Sequence, residues 1–344
     1  MKTLVPLLLP LMFLLSCGGK PPGEGKAPAE GKLINGAGAT FPYPVYSKWF
    51  DEYHKLHPNV RINYQSIGSG GGIRQLQAGT VDFGASDSPM NDEQIAKSAT
   101  PPLHFPTVIG AVVPVYNLPG VTGDLRFTPE ALAGIYLGTV KKWNDRQIAS
   151  ANAGVKLPAT GIIVIHRSDG SGTTFVWTDY LAKVSQSWAA KVGSGTSVNW
   201  PVGLGAKGNE GVAGLVKQTP GSIGYVELVY AVQNQIPFAA VRNQAGEFVK
   251  AGLDSVTAAA ASAVMPDDFR VSITNPPGKG AYPISSFTWL IIPSAIPDPE
   301  KRSALTGFLQ WMLTDGQPVA KTLGYAPLPP AVVSMELKAI SQIR

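Results

Sequence analysis

The sequence predicts an α/β protein with a largely parallel sheet, organised in two domains. Three observations carry that reading. From Leu33 onward, short runs rich in Val, Ile and aromatic residues alternate with stretches of helical spacing. Glycine and hydroxyl residues gather immediately before three of the helical stretches, at the strand-to-helix junctions where such sheets hold ligands. The 344 residues also exceed the roughly 250–300 that a single core sustains.

The chain begins with a leader. Lys2 precedes an apolar run from Leu4 to Leu15, followed by Ser16 and Cys17. A basic start, a short apolar stretch and a small residue before the cut describe a secretory signal peptide over residues 1–16. The run is shorter than the roughly 20 apolar residues of a membrane-spanning helix. Leu14-Leu15-Ser16-Cys17 resembles a bacterial lipobox, whose cysteine is lipidated; a plain signal peptide that contains a cysteine is the alternative. From Gly18 to Lys32 the chain uses only Gly, Pro, Ala, Lys and Glu. Such a segment has nothing to bury and reads as a flexible tether, so residues 17–32 form anchor and spacer.

The body follows. Val60–Tyr64, Val108–Tyr116, Ile162–His166 and Ile284–Ile292 read as strands. Val45, Tyr46, Trp49, Phe50, Tyr53 and Leu56 keep helical spacing until Pro58 ends it. Thr174–Val184 and Lys301–Leu313 read as helices on the same grounds.

Asn35-Gly36-Ala37-Gly38-Ala39-Thr40-Phe41 leads into the first helix, Ile67-Gly68-Ser69-Gly70-Gly71-Gly72 into Ile73–Gln77, and Arg167-Ser168-Asp169-Gly170-Ser171-Gly172-Thr173-Thr174 into Phe175–Val184. A helix start offers unpaired N–H groups and a positive dipole end. Glycine admits a ligand close to that backbone, and Ser or Thr adds hydroxyl donors. This is anion-binding chemistry that hardly needs lysine. Thr40, Ser69 and Ser171 could instead be N-caps, each worth about 1 kcal/mol. Asp87, in Val81-Asp82-Phe83-Gly84-Ala85-Ser86-Asp87-Ser88-Pro89, reads by itself as a turn or cap residue.

Composition excludes several classes. Only 15% of residues are charged, and the net charge of +5 is dispersed without a basic stripe, so nucleic acid is not an expected partner. A single cysteine rules out an intramolecular disulfide and a cysteine zinc cage. No glycine cluster has Walker A or nucleophile-elbow spacing, and no metalloprotease histidine motif occurs. The four histidines are His54, His57, His104 and His166; the first two lie on a helix face expected to be solvated. A phosphatase using Ser171 or Ser69 as nucleophile would still need a base or metals.

Taken together, the motifs resemble a known family. Gly36–Pro42, Val81–Asp87, Phe105-Pro106-Thr107-Val108-Ile109-Gly110, Ile135-Tyr136-Leu137-Gly138, Lys142-Trp143, Arg167–Thr173, Trp200-Pro201-Val202-Gly203 and Gly221-Ser222-Ile223-Gly224-Tyr225-Val226-Glu227 are similar, in order, to the phosphate-binding proteins of bacterial high-affinity phosphate ABC transporters, the PstS family. The match runs from about Leu33 to the end and thins between about 240 and 282 and over the last dozen residues.

The resemblance implies a type 2 periplasmic-binding-protein fold: two α/β lobes, two hinge crossovers and a central ligand cleft. One lobe would combine 33–108 with 285–344, and the other would be 109–284. Family contacts carry over to Thr40, Phe41 (through its backbone N–H), Ser69, Asp87, Arg167, Ser171, Gly172 and Thr173, with Asp169 as the acid that holds the arginine. Gly70 stands where relatives often have serine, and His166 replaces a residue that is not a family contact. The implied activity is binding, not catalysis, without cofactor or metal. The implied partners are inorganic phosphate and the permease subunits of an ABC transporter with its cytoplasmic ATPase. A monomer anchored outside the cytoplasm through Cys17 completes the expectation. The same fold could bind sulfate, molybdate or phosphonate.

Overall fold

The computed structural model describes residues 31–344. The expected signal peptide, Cys17 and nearly all of the tether lie outside the described residues. The strands run in chain order as β1 (Lys32–Gly38), β2 (Val60–Ser66), β3 (Phe83–Ser86), β4 (Pro102–Asn117), β5 (Arg126–Phe127), β6 (Ile163–Arg167), β7 (Leu204–Ala206), β8 (Ser222–Glu227), β9 (Ala240–Arg242), β10 (Phe248–Val249) and β11 (Ser285–Pro293). Eight of them make a sheet in the order β2-β1-β3-β11-β4-β8-β6-β7, and β10-β9-β5 make a small one.

The expectation of a largely parallel sheet needs correction. β2-β1-β3 and β8-β6-β7 are parallel trios, but β3-β11, β11-β4 and β4-β8 pair antiparallel. The reason lies in β4, which serves both trios. Its residues up to Ala111 pair with β11, and from Val112 it pairs with β8. Neighbours covering both of its faces explain why its sequence reads as one apolar run instead of alternating.

The helices that matter here each start just after a parallel strand. Tyr43–Leu56 follows β1, Ser69–Gln77 follows β2, Gly172–Val184 follows β6 and Gly208–Gln218 follows β7. Four helix N-termini thus sit at the carboxyl ends of strands from both trios. Aromatic residues fill the space behind them. Tyr46, Trp49, Phe50 and Tyr53 pack with Phe308 and Trp311 on one side. Tyr136, Trp177, Trp200 and Tyr225 pack together on the other. Each buried ring of this kind contributes about 1.5–3 kcal/mol, enough to hold the loops above it in place. No helix among the described residues is long and apolar enough to cross a membrane.

Candidate functional site

Thr40 ends the loop after β1 and is 2% exposed. It does not cap the helix that follows, whose start at Pro42 has no side-chain cap bond. Tyr230 donates to the Thr40 carbonyl at 2.6 Å, and Tyr325 donates to the Phe41 carbonyl at 2.7 Å. Both carbonyls therefore face away from any ligand and leave the N–H side of this turn available.

Ser69 is the first residue of its helix, and its hydroxyl caps nothing there. Its Oγ accepts from the Gly172 N–H at 3.0 Å and from the Asp87 N–H at 3.3 Å. One serine thus ties the loops after β2, β3 and β6 together. Alongside it, the Gly70 N–H donates to the Gly170 carbonyl at 2.9 Å.

Asp87 follows β3 and is 1% exposed, so it is neither a surface turn nor a cap. Its Oδ1 accepts from Thr288 on β11 at 2.8 Å, while its Oδ2 is buried with no hydrogen-bond partner. Burial pushes its pKa up to about 7, against the hydrogen bond from Thr288, the charge of Arg167 and the Thr173 hydroxyl, which pull the other way. Gly172 explains the tight approach of the second trio. A Cβ there would lie 2.6 Å from both the backbone nitrogen and Oδ2 of Asp87.

Arg167 ends β6 and is 2% exposed. Its Nε and Nη2 donate to the two oxygens of Asp169 at 2.8 and 2.6 Å, a two-pronged pair that orients the guanidinium and offsets its charge. Its Nη1 donates to the Thr173 hydroxyl at 3.4 Å. Burial alone would raise the Asp169 carboxyl, but the bonds and charge of Arg167 with the Gly208 N–H leave it below the ordinary value. Ser171 does cap its helix: its Oγ accepts from the Thr174 N–H at 3.1 Å. All eight residues expected at the site, with Asp169 behind them, are therefore gathered at one set of strand ends.

Among the described residues, no group of three His, Cys, Asp or Glu side chains could hold a metal ion. His166 stacks on Trp200 with ring centroids 4.7 Å apart, and His104 accepts from the Met90 N–H.

The model of the PBP superfamily domain matches residues 22–316. The phosphate-binding protein PstS of Xylella fastidiosa (strain Temecula1) is 50% identical over 87% of this chain and 82% of its own. PstS of Pasteurella multocida is 48% identical over 88% of each. The chain belongs to the PstS family of the PBP superfamily. The fold agrees: a phosphate-binding protein from Stenotrophomonas maltophilia superimposes with a TM-score of 0.70 at 18% identity, over 89% of this chain and 93% of that one. The two-domain α/β architecture expected of this PstS-family chain is thus the one it has.

Reading the sequence missed several participants. Asn209 is fully buried and donates from Nδ2 to the hydroxyls of Thr40 at 2.8 Å and Thr173 at 3.1 Å. A signal for it existed: Gly203-Leu204-Gly205-Ala206-Lys207-Gly208-Asn209 is a fourth glycine-rich run before a helix. Gly208 adopts φ +74°, which a residue with a side chain would resist. Thr288, Tyr230 and Tyr325 carried no local signal, since each acts across a long sequence separation. Glu227 is also buried, and desolvation raises its carboxyl well above the ordinary range. It accepts from the Val229 N–H and lies 3.3 Å from the Tyr325 hydroxyl where β4 changes partners.

Proposed function

We propose that this chain binds inorganic phosphate outside the cytoplasm and delivers it to the permease of an ABC importer. The observation that carries the reading is the buried Asp87 carboxylate, with Oδ2 unpartnered among hydroxyls, helix N-termini and one paired arginine. An ionised carboxylate only accepts hydrogen bonds. Phosphate near neutral pH retains a proton to offer it, whereas sulfate has none and would meet it lone pair to lone pair. Thr40, the Phe41 N–H, Ser69, Ser171, Gly172 and Thr173 would supply donors, and Arg167 the fixed cation. Asp169 offsets that cation in advance, so dipoles and not net charge carry most of the binding.

In this reading, the lobe of 33–108 with 285–344 brings Thr40, Ser69 and Asp87, and the lobe of 109–284 brings Arg167–Thr173. Each supplies part of the coordination, so ligand favours the closed arrangement. Cys17 would carry the lipid that keeps a monomeric body at the membrane. The names of the PstS relatives support phosphate as the ligand. Titration calorimetry with phosphate and with sulfate tests the reading: phosphate binding with sulfate excluded is expected, and equal affinity for both would sink it. A chromogenic phosphate ester should be left unhydrolysed.

A further inference from the structure

We infer that Asn209 is a positioning residue that fixes the direction of two ligand-facing hydroxyl protons, those of Thr40 and Thr173. The inference rests on the phosphate reading and deepens it. A threonine hydroxyl carries one proton and two lone pairs, so by itself it can meet a ligand as donor or as acceptor. Here both lone pairs are taken at both residues. Thr40 Oγ1 accepts from Asn209 Nδ2 at 2.8 Å and from the Asn209 backbone N–H at 3.3 Å. Thr173 Oγ1 accepts from Asn209 Nδ2 at 3.1 Å and from Arg167 Nη1 at 3.4 Å. Only the proton of each hydroxyl is left to give.

The orientation of the Asn209 amide follows from the same bonds. Its Oδ1 accepts from the Glu227 backbone N–H at 2.9 Å. A backbone N–H can only donate, so oxygen faces Glu227 and the NH₂ group must face the threonines. That NH₂ has two hydrogens, one for each hydroxyl. Asn209 is held in turn by its place at the start of an eleven-residue helix, one residue after Gly208, whose N–H binds Asp169 at 3.1 Å.

The consequence is a site preset for oxygens that only accept. Without Asn209, the Thr40 and Thr173 protons are free to turn toward nearby acceptors, and each hydroxyl then presents a lone pair to an anion. Orienting them during folding removes that reorganisation from the binding step. Thr40 follows β1 and Thr173 follows β6, so one amide sets donors on both sheet trios.

The test is a set of mutant cycles read by phosphate calorimetry on the full chain. Asn209→Ala should weaken phosphate binding about 10- to 100-fold, with each misdirected hydroxyl worth about 1 kcal/mol. In a Thr40→Val background the further loss should shrink to about 10-fold or less, and with Thr173→Val added it should fall below about 3-fold. Melting temperature, read in parallel, should drop less for Asn209→Ala in the valine backgrounds, because there the buried amide has already lost the hydroxyls it donates to. Asn209→Leu, close in shape, carries the same cycle if the alanine variant does not fold. A loss of affinity that stays the same in all backgrounds overturns the inference and leaves the functional reading standing. Wild-type protein that takes up no phosphate overturns both.

Discussion

The two strand trios build their parts of the candidate site with the same local grammar and a different charge balance. After β1, β2 and β3 come Thr40, Ser69 and Asp87: two hydroxyls and a buried carboxylate, with no cation among them. After β6 and β7 come Arg167, the 171–173 turn and Asn209: a cation, helix N-termini and an amide, with the one carboxylate, Asp169, already spent on the arginine. On the phosphate reading, the difference means that neither trio would be an anion site alone. The first would repel an anion through Asp87, and the second has an arginine largely offset by its partner. In the proposed reading, specificity would fall to the first set of loops and attraction to the second.

The largest expected effect follows from removing the attraction. Arg167→Ala should weaken phosphate binding about 1,000-fold or more, since charge-assisted bonds are worth about 1.5–3 kcal/mol each and Asp169 would be left facing the anion unpaired. Arg167→Lys should recover only part of this, because an ammonium cannot hold Asp169 with two prongs while reaching the ligand. Parallel titrations of the three proteins check both.

Asp87 gives the next effect, and its sign differs between anions. Asp87→Asn should weaken phosphate about 10- to 100-fold yet improve sulfate binding, because the amide can donate where the carboxylate could not. Unchanged selectivity would break the division of labour between the trios. The same carboxyl predicts a pH profile. With its pKa near 7, Asp87 becomes protonated below that value and can donate to sulfate. Sulfate discrimination should therefore fade as pH drops through about 7 in competition titrations.

Stability should respond as well. The native Asp87 holds a proton between about pH 4 and 7 that the unfolded chain has released, so the ligand-free protein should lose stability as pH rises through that window. At 1.36 kcal/mol per pKa unit the loss is at most about 4 kcal/mol, or several degrees in Tm. Asp87→Asn should flatten this slope in thermal melts at pH 5 and pH 8. The smallest effect belongs to Ser171→Ala, which removes a helix cap worth about 1 kcal/mol and one donor, and should lower affinity about tenfold or less.

Much of this site was legible because its donors follow a local rule. A glycine run with a hydroxyl before a helix marks a helix start that can meet an anion, and the rule picks out Thr40, Ser69 and Ser171–Thr173, which the structure brings together. It did not tell which of them cap their helices. Only Ser171 caps its helix, and that depends on backbone angles that the residue names do not encode. Asp87 reads locally as a turn residue, and only the resemblance singled it out; the fold alone lays Thr288 of β11 beside it, 201 positions away. Asn209 was hidden for a related reason: an asparagine at a helix start is ordinary, and its importance lies in which two hydroxyls it reaches.

The sequence by itself determined the alternation of strands and helices, the helix starts at their ends, and the glycine- and hydroxyl-rich, charge-poor loops that precede them. Those features arise within a few residues, from side-chain pattern and backbone freedom. Only the tertiary structure decided the antiparallel centre of the sheet, the burial that lifts Asp87 to a pKa near 7, and the amide that aims two threonine protons. Each of these depends on which distant strand ends become neighbours, and close packing sets that for the whole molecule at once.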